Sequence, residues 1–494
     1  MNDLHDLELM LRSETPILLI ESLEEPRILQ LFTRLGLRFG EPVFCWTLTD
    51  GLRRVEMTGT PQSRLADPPE VLRHIKATSQ SGIYLLLDFH PFLHDPLLVR
   101  LMKEIAQGLA ELPRRLVLVS HALETPPELR HLSARFDLRL PDRNRLLALI
   151  REEAQLWQHG ERGRSFRANR DAVDRLSRNL LGVTESDARR LIRSAIRKDG
   201  AITDSDVADV TKAKYDLLSP DCAVSFEYDT ASFADVAGLD NLKAWIDKRR
   251  AAVLADAGER AGGRDRPKGV MLLGVQGGGK SLAAKAVAGR LGVPLLRLDF
   301  GALYNKYIGE SERNLREALR TADVMAPCVL WLDEIEKGLA MGGDEDGGTG
   351  RRLLGSLLTW MAERDSGAFL VATSNDITQL PPELVRKGRL DEIFFVDLPD
   401  RDVRRAIFRI HLANRGLDPA GFDLDRLAEA SDGFTGAGIE QAVVSALYAA
   451  RAASAGPDTE AVLAELEGTQ PLSVVMDAQI ARLRQWARGR TVPA

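Results

Sequence analysis

Residues 274–281 read Gly274-Val275-Gln276-Gly277-Gly278-Gly279-Lys280-Ser281. An apolar run precedes them, and an alanine-rich helical pattern follows from Leu282 to Leu291. The glycines let successive backbone N–H groups turn toward one anion, and the next helix adds its positive N-terminal end. Lys280 can reach the β- and γ-phosphates of a nucleotide, and the Ser281 hydroxyl can ligate Mg²⁺. A glycine-rich turn without a ligand is the plain alternative. The full pattern in this context instead predicts a P-loop that binds a nucleoside triphosphate through residues 274–282.

The bulk composition excludes several classes of protein. A chain of 494 residues is too long for one core, so several domains are expected. The net charge of −6 argues against a generally basic surface that coats nucleic acid. No apolar stretch approaches the length of a transmembrane helix, and the acidic start of the chain is no signal peptide, so we expect no membrane insertion. Cys45, Cys222 and Cys328 show no metal-ligand spacing and predict thiols in a reducing, cytoplasmic compartment.

The second half of the chain has the pattern of a parallel sheet covered by helices. Short β-rich runs alternate with helical patterns. The predicted strands are 269–273, 294–298, 327–332, 368–373 and 393–397. The predicted later helices are 402–412, 424–430, 438–453 and 477–487. We therefore expect an α/β nucleotide-binding subdomain over 229–400 and a helical lid with C-terminal helices over 401–494.

The first half repeats the same order of segments. The echoes pair 16–20 with the P-loop strand, 40–44 with 292–296, 83–88 with 329–333, and 125–129 with 380–384. Retained order and spacing indicate an internal duplication. We predict a degenerate α/β copy without a P-loop over 1–142, its own helical lid over 143–205, and a linker over 206–228.

This first copy lacks the chemistry of the second. Its loop reads Glu21-Ser22-Leu23-Glu24-Glu25-Pro26, with no glycine or lysine and with three carboxylates where phosphates would lie. Asp88 parallels Asp333, and Phe89 replaces the next carboxylate. The sequence predicts no ATP binding in this half and makes Asp88 a structural relic.

Two carboxylates and an amide follow neighbouring strands of the second half. Asp333 can hold Mg²⁺, usually through water, and Glu334 can polarise the attacking water. Asn375 can hydrogen-bond that water and sense the γ-phosphate, whereas in isolation it would be a turn asparagine with a local bond. Their position after a P-loop predicts ATP hydrolysis rather than binding alone.

Four further charged residues lie near these motifs. Glu336 and Lys337 are interpreted as rim residues without catalytic duty. Arg386 and Arg389 follow the Asn375 strand. A guanidinium that reaches a γ-phosphate across a subunit boundary stabilises transition-state charge, and a pair of solvated surface arginines is the alternative.

In combination, these motifs resemble an AAA-type ATPase module over residues 229–453. The resemblance is carried by 233–239 (Phe-Ala-Asp-Val-Ala-Gly-Leu), the P-loop, Asp333-Glu334, Asn375, the two arginines and 433–437 (Gly-Phe-Thr-Gly-Ala). It implies ATP and Mg²⁺ as cofactors, Arg386 and Arg389 as trans-acting arginine fingers, and a homo-oligomeric ring, most often a hexamer. It also implies that further residues contact the nucleotide: Ala237, Gly238, His411, Gly436 and Ala437. Because Ala437 stands where many AAA modules carry a second sensor arginine, no such arginine is assigned.

Four shorter stretches narrow the resemblance. They are 274–277, 326–331, 333–337 and 357–361, and they are similar to the hypothetical chloroplast reading-frame (Ycf-type) AAA family of plastids, cyanobacteria and other bacteria. Members of that family have a degenerate N-terminal ATPase-like domain, which agrees with the duplication above.

One loop bears on what a ring would do. Residues 304–312 resemble the first pore loop of protein-remodelling AAA rings, in which Tyr307 and Ile308 would grip a substrate chain. The alternative is a tyrosine packed on its own domain. The polar segment 341–348 suits a second pore loop or a plain surface loop. The helix after it lacks the Asp-Gly-Phe that many remodelling relatives use between subunits.

Three functions remain compatible with the sequence. The first is an AAA ring that remodels or translocates an unidentified protein substrate. The second is an ATP-dependent regulatory switch or scaffold whose N-terminal domain docks partners. The third is a nucleic-acid-acting motor, for which the arginine-rich stretch 160–198 is the only hint. Glu161, Asp171 and Asp174 lie among those arginines and favour a solvated helical face, so no nucleic-acid partner is expected.

Overall fold

The computed structural model describes residues 3–55, 65–160, 166–218, 223–227, 236–254, 266–303, 310–340, 349–364, 366–386, 388–452 and 456–494. The chain divides into two compact units. The first comprises Met1–Arg145 and Val183–Arg190, and the second comprises Leu146–Gly182 and Leu191–Ala494.

The first unit contains a six-stranded sheet. Its strands are β1 (Ile17–Glu21), β2 (Val43–Thr47), β3 (Gly51–Arg54), β4 (Gly82–Leu87), β5 (Arg114–Ser120) and β6 (Ser133–Phe136). Its helices are α1 (Asp3–Arg12), α2 (Glu25–Phe39), α3 (Pro68–Ala77) and α4 (Pro96–Gln107). The strand order is β3-β2-β4-β5-β1-β6, and β3 pairs antiparallel with β2 while the other pairs are parallel. Strands β1 and β4 are buried on both faces, which explains their continuous apolar sequence.

The second unit contains a seven-stranded sheet. The remaining strands of the chain are β7 (Arg167–Ala168), β8 (Ala201–Ile202), β9 (Val224–Glu227), β10 (Gly269–Gly274), β11 (Leu295–Leu298), β12 (Cys328–Leu332), β13 (Ala368–Ser374), β14 (Glu392–Val396) and β15 (Val492–Pro493). The sheet order is β15-β14-β10-β13-β12-β11-β9, and β7 and β8 form a separate parallel pair. The five predicted strands are confirmed as β10 to β14, with ends shifted by one residue at most.

Helices cover this sheet and continue beyond it. They are α5 (Arg143–Gly160), α6 (Arg170–Asn179), α7 (Glu185–Asp199), α8 (Asp204–Leu218), α9 (Asp240–Leu254), α10 (Lys280–Leu291), α11 (Phe300–Leu303), α12 (Glu310–Met325), α13 (Ile335–Ala340), α14 (Thr349–Glu363), α15 (Arg401–Asn414), α16 (Leu424–Ala430), α17 (Gly436–Ala452), α18 (Thr459–Glu467), α19 (Leu472–Val475) and α20 (Asp477–Ala487). Helices α5 and α7 each contribute residues to both units. Helices α9 and α10 pack on one face of the sheet, and α12 and α14 pack on the other. None of the helices in the described ranges is both long and apolar enough to cross a membrane.

The two sheets share one topology. The order β2-β4-β5-β1-β6 in the first unit equals β11-β12-β13-β10-β14 in the second. Strands β1 and β10 are each followed by a helix, α2 or α10, that ends at a glycine with a left-handed backbone conformation. These glycines are Gly40 (φ 66°) and Gly292 (φ 71°). The expected α/β fold, with a P-loop module and a preceding copy of it, is therefore observed.

The strand registers correct one detail of the predicted repeat. Counting from the two glycine caps, Val43 corresponds to Leu295, and its neighbour Ile83 corresponds to Val329. Asp88 therefore corresponds to Glu334 and not to Asp333, whose place is taken by Leu87. The backbone agrees, since Asp88 and Glu334 both have positive φ, at 51° and 48°. The sequence comparison was wrong by one residue because both strands are continuous apolar runs, which do not reveal where one aligns with the other.

The segment 206–228, predicted to be a linker, contains most of α8 and all of β9. Val207, Val210 and Lys214 on α8 are buried. Strand β9 pairs antiparallel with β11 at the edge of the second sheet. The apolar positions of α8 recur at helical spacing, and that signal was masked by the polar composition around them.

Candidate nucleotide site

One cleft of about 520 Å³ lies in the second unit, between the carboxyl ends of the central strands and the lid helices α15 and α17. Parallel α/β sheets place ligand sites at this edge. The cleft brings together fifteen of the predicted site residues: Ala237, Gly238, Gln276, Gly277, Gly278, Gly279, Lys280, Ser281, Leu282, Asp333, Glu334, Asn375, His411, Gly436 and Ala437.

The structure explains why glycine is required at three positions of the loop. Gly277 and Gly279 adopt φ of 74° and 92°, which strain any residue with a side chain. A Cβ on Gly274 would stand 1.9 Å from the carbonyl oxygen of Val396. The lid closes against the loop, because Ala437 N donates to the Gly277 carbonyl at 3.3 Å. The loop is thus shaped as a cradle whose backbone faces the cleft.

Lys280 is buried at the first position of α10. Its Nζ donates to the carbonyls of Gly274 and Val275 at 2.9 and 2.8 Å. Burial lowers the pKa of Lys280 to about 8, and the nearby negative charge of Glu336 opposes that effect. An incoming phosphate would exchange these two carbonyls for a charged partner, which favours anion binding at this position.

Glu334 and Asn375 are in direct contact. Asn375 Nδ2 donates to Glu334 Oε1 at 2.9 Å, and Lys337 Nζ donates to Glu334 Oε2 at 2.6 Å. Glu334 N in turn donates to Thr373 Oγ1 at 3.0 Å. The carboxylate is therefore held from two sides at the end of β12, with its backbone tied to β13.

Asp333 has two partners that the sequence did not predict. Its Oδ1 accepts from Thr373 Oγ1 at 2.7 Å, and its Oδ2 pairs with Arg297 Nη2 at 3.1 Å. The Arg297 guanidinium also lies 5.0 Å from the ring centre of Trp331. Adjacent strands β11, β12 and β13 carry these groups, so only the sheet order, and no local motif, reveals them.

The interpretation of Glu336 as a rim residue was wrong. Its side chain is 2 % exposed, and Oε1 accepts from Asn375 N at 2.9 Å. Its other oxygen, Oε2, is buried without a hydrogen-bond partner in the described part of the chain. Glu336 therefore fixes the backbone that carries Asn375. As the second residue of α13 it faces inward, which the charged sequence around it concealed.

His411 lies half-buried on α15 in the same cleft. Its Nδ1 is 3.3 Å from Arg415 Nη1 and 3.7 Å from Glu440 Oε1. Burial is the main cause that lowers the pKa of His411, so the imidazole is kept neutral. The cleft is also lined by Pro493 and Ala494, which enter through strand β15 and were not predicted.

Arg386 and Arg389 do not line this cleft. Arg386 is exposed, and Arg389 donates to the backbone carbonyl of Glu383. Both lie on the loop between β13 and β14, so a single chain does not bring them to its own P-loop. Tyr307 and Ile308, the segment 341–348 and residues 233–235 lie outside the described residues.

The corresponding place in the first unit is closed. Nineteen positions separate Glu21 from Gly40, as they separate Leu273 from Gly292, but α2 begins one turn earlier than α10. Apolar Ile28, which is fully buried, stands where the second unit has Lys280. A helical turn has thus replaced the phosphate loop.

Glu24 completes the closure of the first unit. Its Oε1 accepts from the backbone N–H groups of Glu185 and Ser186 at 2.7 and 3.2 Å, and its Oε2 pairs with Arg27 at 3.0 Å. The carboxylate accepts hydrogen bonds from the N–H groups at the start of α7, which a phosphate could otherwise bind. The predicted loss of nucleotide chemistry thus has a structural basis beyond the missing glycines.

Comparisons with known proteins agree with this geometry. Family models match residues 3–138 (SpoVK-like AAA ATPase, N-terminal domain), 144–221 (SpoVK-like AAA ATPase, second domain) and 270–398 (ATPase family associated with various cellular activities, AAA). An AAA domain-containing protein ycf46 of Pyropia yezoensis is 31% identical over 99% of this chain and 98% of its own. The chain belongs to the ycf46 family of AAA proteins.

Other relatives extend the comparison. The ycf46 protein of Guillardia theta is 32% identical over 99% of this chain and 95% of its own. The ATP-dependent zinc metalloprotease FtsH of Burkholderia pseudomallei is 36% identical, but over 44% of this chain and 34% of its own. The ycf46-family protein is thus an AAA-type ATPase, and its likeness to FtsH is confined to less than half of the chain.

Proposed function

We propose that this ycf46-family protein hydrolyses ATP with Mg²⁺ in a ring of identical subunits and uses the energy to remodel or translocate a protein substrate. The observation that carries the proposal is the cleft in which Lys280, Asp333, Glu334 and Asn375 meet around a glycine cradle. Binding alone would need the cradle and the lysine. The carboxylate–amide pair supports hydrolysis, because it can hold and activate a water that attacks the γ-phosphate.

In the proposed reaction, ATP lies with its phosphates in the loop 274–282 and its adenine near Ala237, Gly238 and His411. The neutral imidazole of His411 suits contact with an uncharged base. Lys280 balances charge on the β- and γ-phosphates. Glu334 accepts a proton from the attacking water, and Asn375 orients that water and the carboxylate together.

The residues around the Lys280 end of the cleft fit a magnesium ion. Ser281 and Asp333 both line the cleft and offer the hard oxygen ligands that Mg²⁺ prefers. When bound, Mg²⁺ supplies positive charge that neutralises the phosphates. Thr373 orients Asp333 by a hydrogen bond to Oδ1, and Oδ2 is paired with Arg297, which Mg²⁺ would have to displace from that oxygen.

The position of the two arginines supports the proposal of a ring. Arg386 and Arg389 lie outside their own cleft on a loop between two strands, so we assign them to the cleft of the next subunit. A guanidinium delivered in trans stabilises the transition-state charge. A hexamer is the proposed assembly, with Tyr307 and Ile308 gripping substrate in its pore. A cytosolic location suits the two described cysteines, Cys45 and Cys328, which are buried free thiols.

The test compares the wild type with Glu334→Gln and Tyr307→Ala. We expect Glu334→Gln to bind ATP and assemble but to lose hydrolysis by about a hundredfold or more. Unchanged turnover in Glu334→Gln would overturn the catalytic assignment. Retention of full ATPase activity and full cellular function by Tyr307→Ala would rule out threading of substrate through a pore.

A second candidate, an ATP-dependent switch or scaffold, is favoured by the first unit. That unit keeps the whole sheet of a nucleotide domain while its pocket is closed by α2 and Glu24. A fold retained without its ligand suits the docking of a partner. Assembly that depends on ATP binding but is indifferent to Glu334→Gln, with no effect of Tyr307→Ala in cells, would select this function. Stimulation of the ATPase by nucleic acid but by no protein fraction would select a nucleic-acid motor instead.

A further inference from the structure

The first unit carries a cluster of metal-ligating side chains that the nucleotide chemistry does not use. One ligand atom from each of Asp88, His90 and His121 lies within 4.8 Å of the other two. Asp88 and His90 follow β4, and His121 follows β5, which is the neighbouring parallel strand. The cluster therefore sits at the carboxyl edge of the sheet, where parallel α/β folds gather functional groups.

The backbone beneath the cluster is firmly held. Asp88 N donates to the carbonyl of Val119 at 2.8 Å, which ties the end of β4 to β5. Phe89, between the first two ligands, is fully buried and packs edge-on against Trp46 at 5.3 Å. Phe92 packs on Phe89 at 5.5 Å. The aromatic packing fixes the short turn that presents Asp88 and His90, so their spacing is set by the core.

The imidazole of His90 is poorly satisfied without a further ligand. Its Nδ1 is buried and has no hydrogen-bond partner among the described residues, although Asp88 Oδ1 lies 3.9 Å away. The rings of His90 and His121 meet edge to face, with centres 4.6 Å apart. A buried, unpaired polar nitrogen is unfavourable, and a bound cation would pair with the lone pair of that nitrogen.

The three residues of the cluster occupy the same positions in the first sheet as three polar residues of the nucleotide site in the second sheet. By the strand registers, Asp88, His90 and His121 correspond to Glu334, Glu336 and Asn375 of the second unit. In the second unit these positions are in contact, because Asn375 donates hydrogen bonds to both Glu334 and Glu336. The first unit has two imidazoles at the same edge, where its helix-filled loop leaves no place for phosphates.

We propose that Asp88, His90 and His121 bind one divalent transition-metal ion, with Zn²⁺ as the best match. Imidazole and carboxylate together suit Zn²⁺ and disfavour Mg²⁺ and Ca²⁺, which take oxygen ligands. Ligand atoms about 2.1 Å from a tetrahedral zinc ion stand roughly 3.4 Å apart. Asp88 and His121 are exposed, so rotation of their side chains closes the remaining distance. Three protein ligands leave a coordination position for water or for a group from a partner.

The site is independent of ATP hydrolysis, and its test needs no turnover. Full-length protein is reduced, stripped with a chelator, dialysed, and titrated with Zn²⁺ by calorimetry and with Co²⁺ by visible absorption. We expect one equivalent of Zn²⁺ at micromolar or tighter affinity. Bound Co²⁺ should show d–d bands without a thiolate charge-transfer band, which separates this site from the cysteines.

Variants locate the ion. His121→Ala and Asp88→Asn change exposed side chains and should fold, as thermal melting will verify, and each should weaken Zn²⁺ binding at least tenfold. His74→Ala and His94→Ala remove exposed histidines of the same unit that lie outside the cluster, and they should bind as the wild type does. The proposal is overturned if the wild type binds no stoichiometric ion, if Co²⁺ shows thiolate ligation, or if His121→Ala and Asp88→Asn bind Zn²⁺ unchanged.

Discussion

Asn375 Nδ2 donates a hydrogen bond to Glu334 Oε1 at 2.9 Å, which joins the residue after β13 to the residues that follow β12. Residues in direct contact have non-additive effects when both are changed. We therefore expect substitutions of the two side chains to be coupled, since Asn375 helps to fix the Glu334 carboxylate.

Asn375→Ala should lower kcat about tenfold or more and leave ATP affinity within roughly twofold, because the lost contact acts on the attacking water. When Glu334→Gln is already present, Asn375→Ala should lower kcat by almost nothing more. Single-turnover hydrolysis of the four proteins measures this double-mutant cycle. Additive losses in the double variant would show that the two side chains act separately.

Glu336→Ala should lower kcat about tenfold, since the backbone N–H of Asn375 would lose its buried acceptor. Glu336→Gln keeps an acceptor oxygen and should restore most of the rate. The comparison of kcat with KM in both variants checks this. A rate in Glu336→Gln as low as in Glu336→Ala would mean that the charge, and not the acceptor, is what matters.

Arg297→Met should increase the effect of Mg²⁺ on nucleotide affinity, because Arg297 would no longer compete with the ion for Asp333. Arg297 pairs with Asp333 while 43% exposed, and an exposed pair contributes at most about 1 kcal/mol, so the gain should be about two- to fivefold. Binding of a fluorescent ATP analogue across a Mg²⁺ titration measures it. Arg316→Met, which removes an arginine paired with Glu312 on α12, serves as the control. Weaker Mg²⁺ dependence in Arg297→Met would contradict competition between the guanidinium and the ion.

The burial of Lys214 should make the free energy of unfolding depend on pH. Its Nζ donates to the carbonyls of Leu181 and Val324, and burial lowers its pKa to about 7. An unfolded lysine keeps its proton to about pH 10.4, so above pH 7 the unfolded state binds more protons than the folded state. The contribution of Lys214 to stability should therefore rise with pH between 7 and about 10, by up to about 1.4 kcal/mol per pH unit.

Chemical denaturation at pH 6.5 and 8.5 tests this sign. The wild type should gain more than 1 kcal/mol over Lys214→Met between those two pH values, by roughly the slope that one proton gives. Lys212→Met changes an exposed lysine of the same helix and should show no such trend. An equal pH dependence in the wild type and Lys214→Met would show that Lys214 keeps its proton when buried.

The sequence predicted the parts that local chemistry dictates. The glycine pattern, the apolar strands and the order of motifs sufficed for the P-loop, for β10 to β14 and for the duplicated fold. The sequence did not predict contacts between side chains on neighbouring strands. Arg297 meets Asp333 only because β11 and β12 are neighbours, and Glu336 turns inward only because of where α13 begins. The misplacement of Asp88 by one residue shows the same limit, since register is set by pairing and not by composition.

We propose that each chain has one nucleotide site, in the second unit, and that the first unit has lost its own. The number of ATP molecules bound per chain, measured by calorimetry on Glu334→Gln to prevent hydrolysis, tests it most directly. We expect one ATP per chain at saturation, and none when Lys280→Ala is combined with Glu334→Gln. Two ATP molecules per chain, or one that persists after Lys280→Ala, would contradict it.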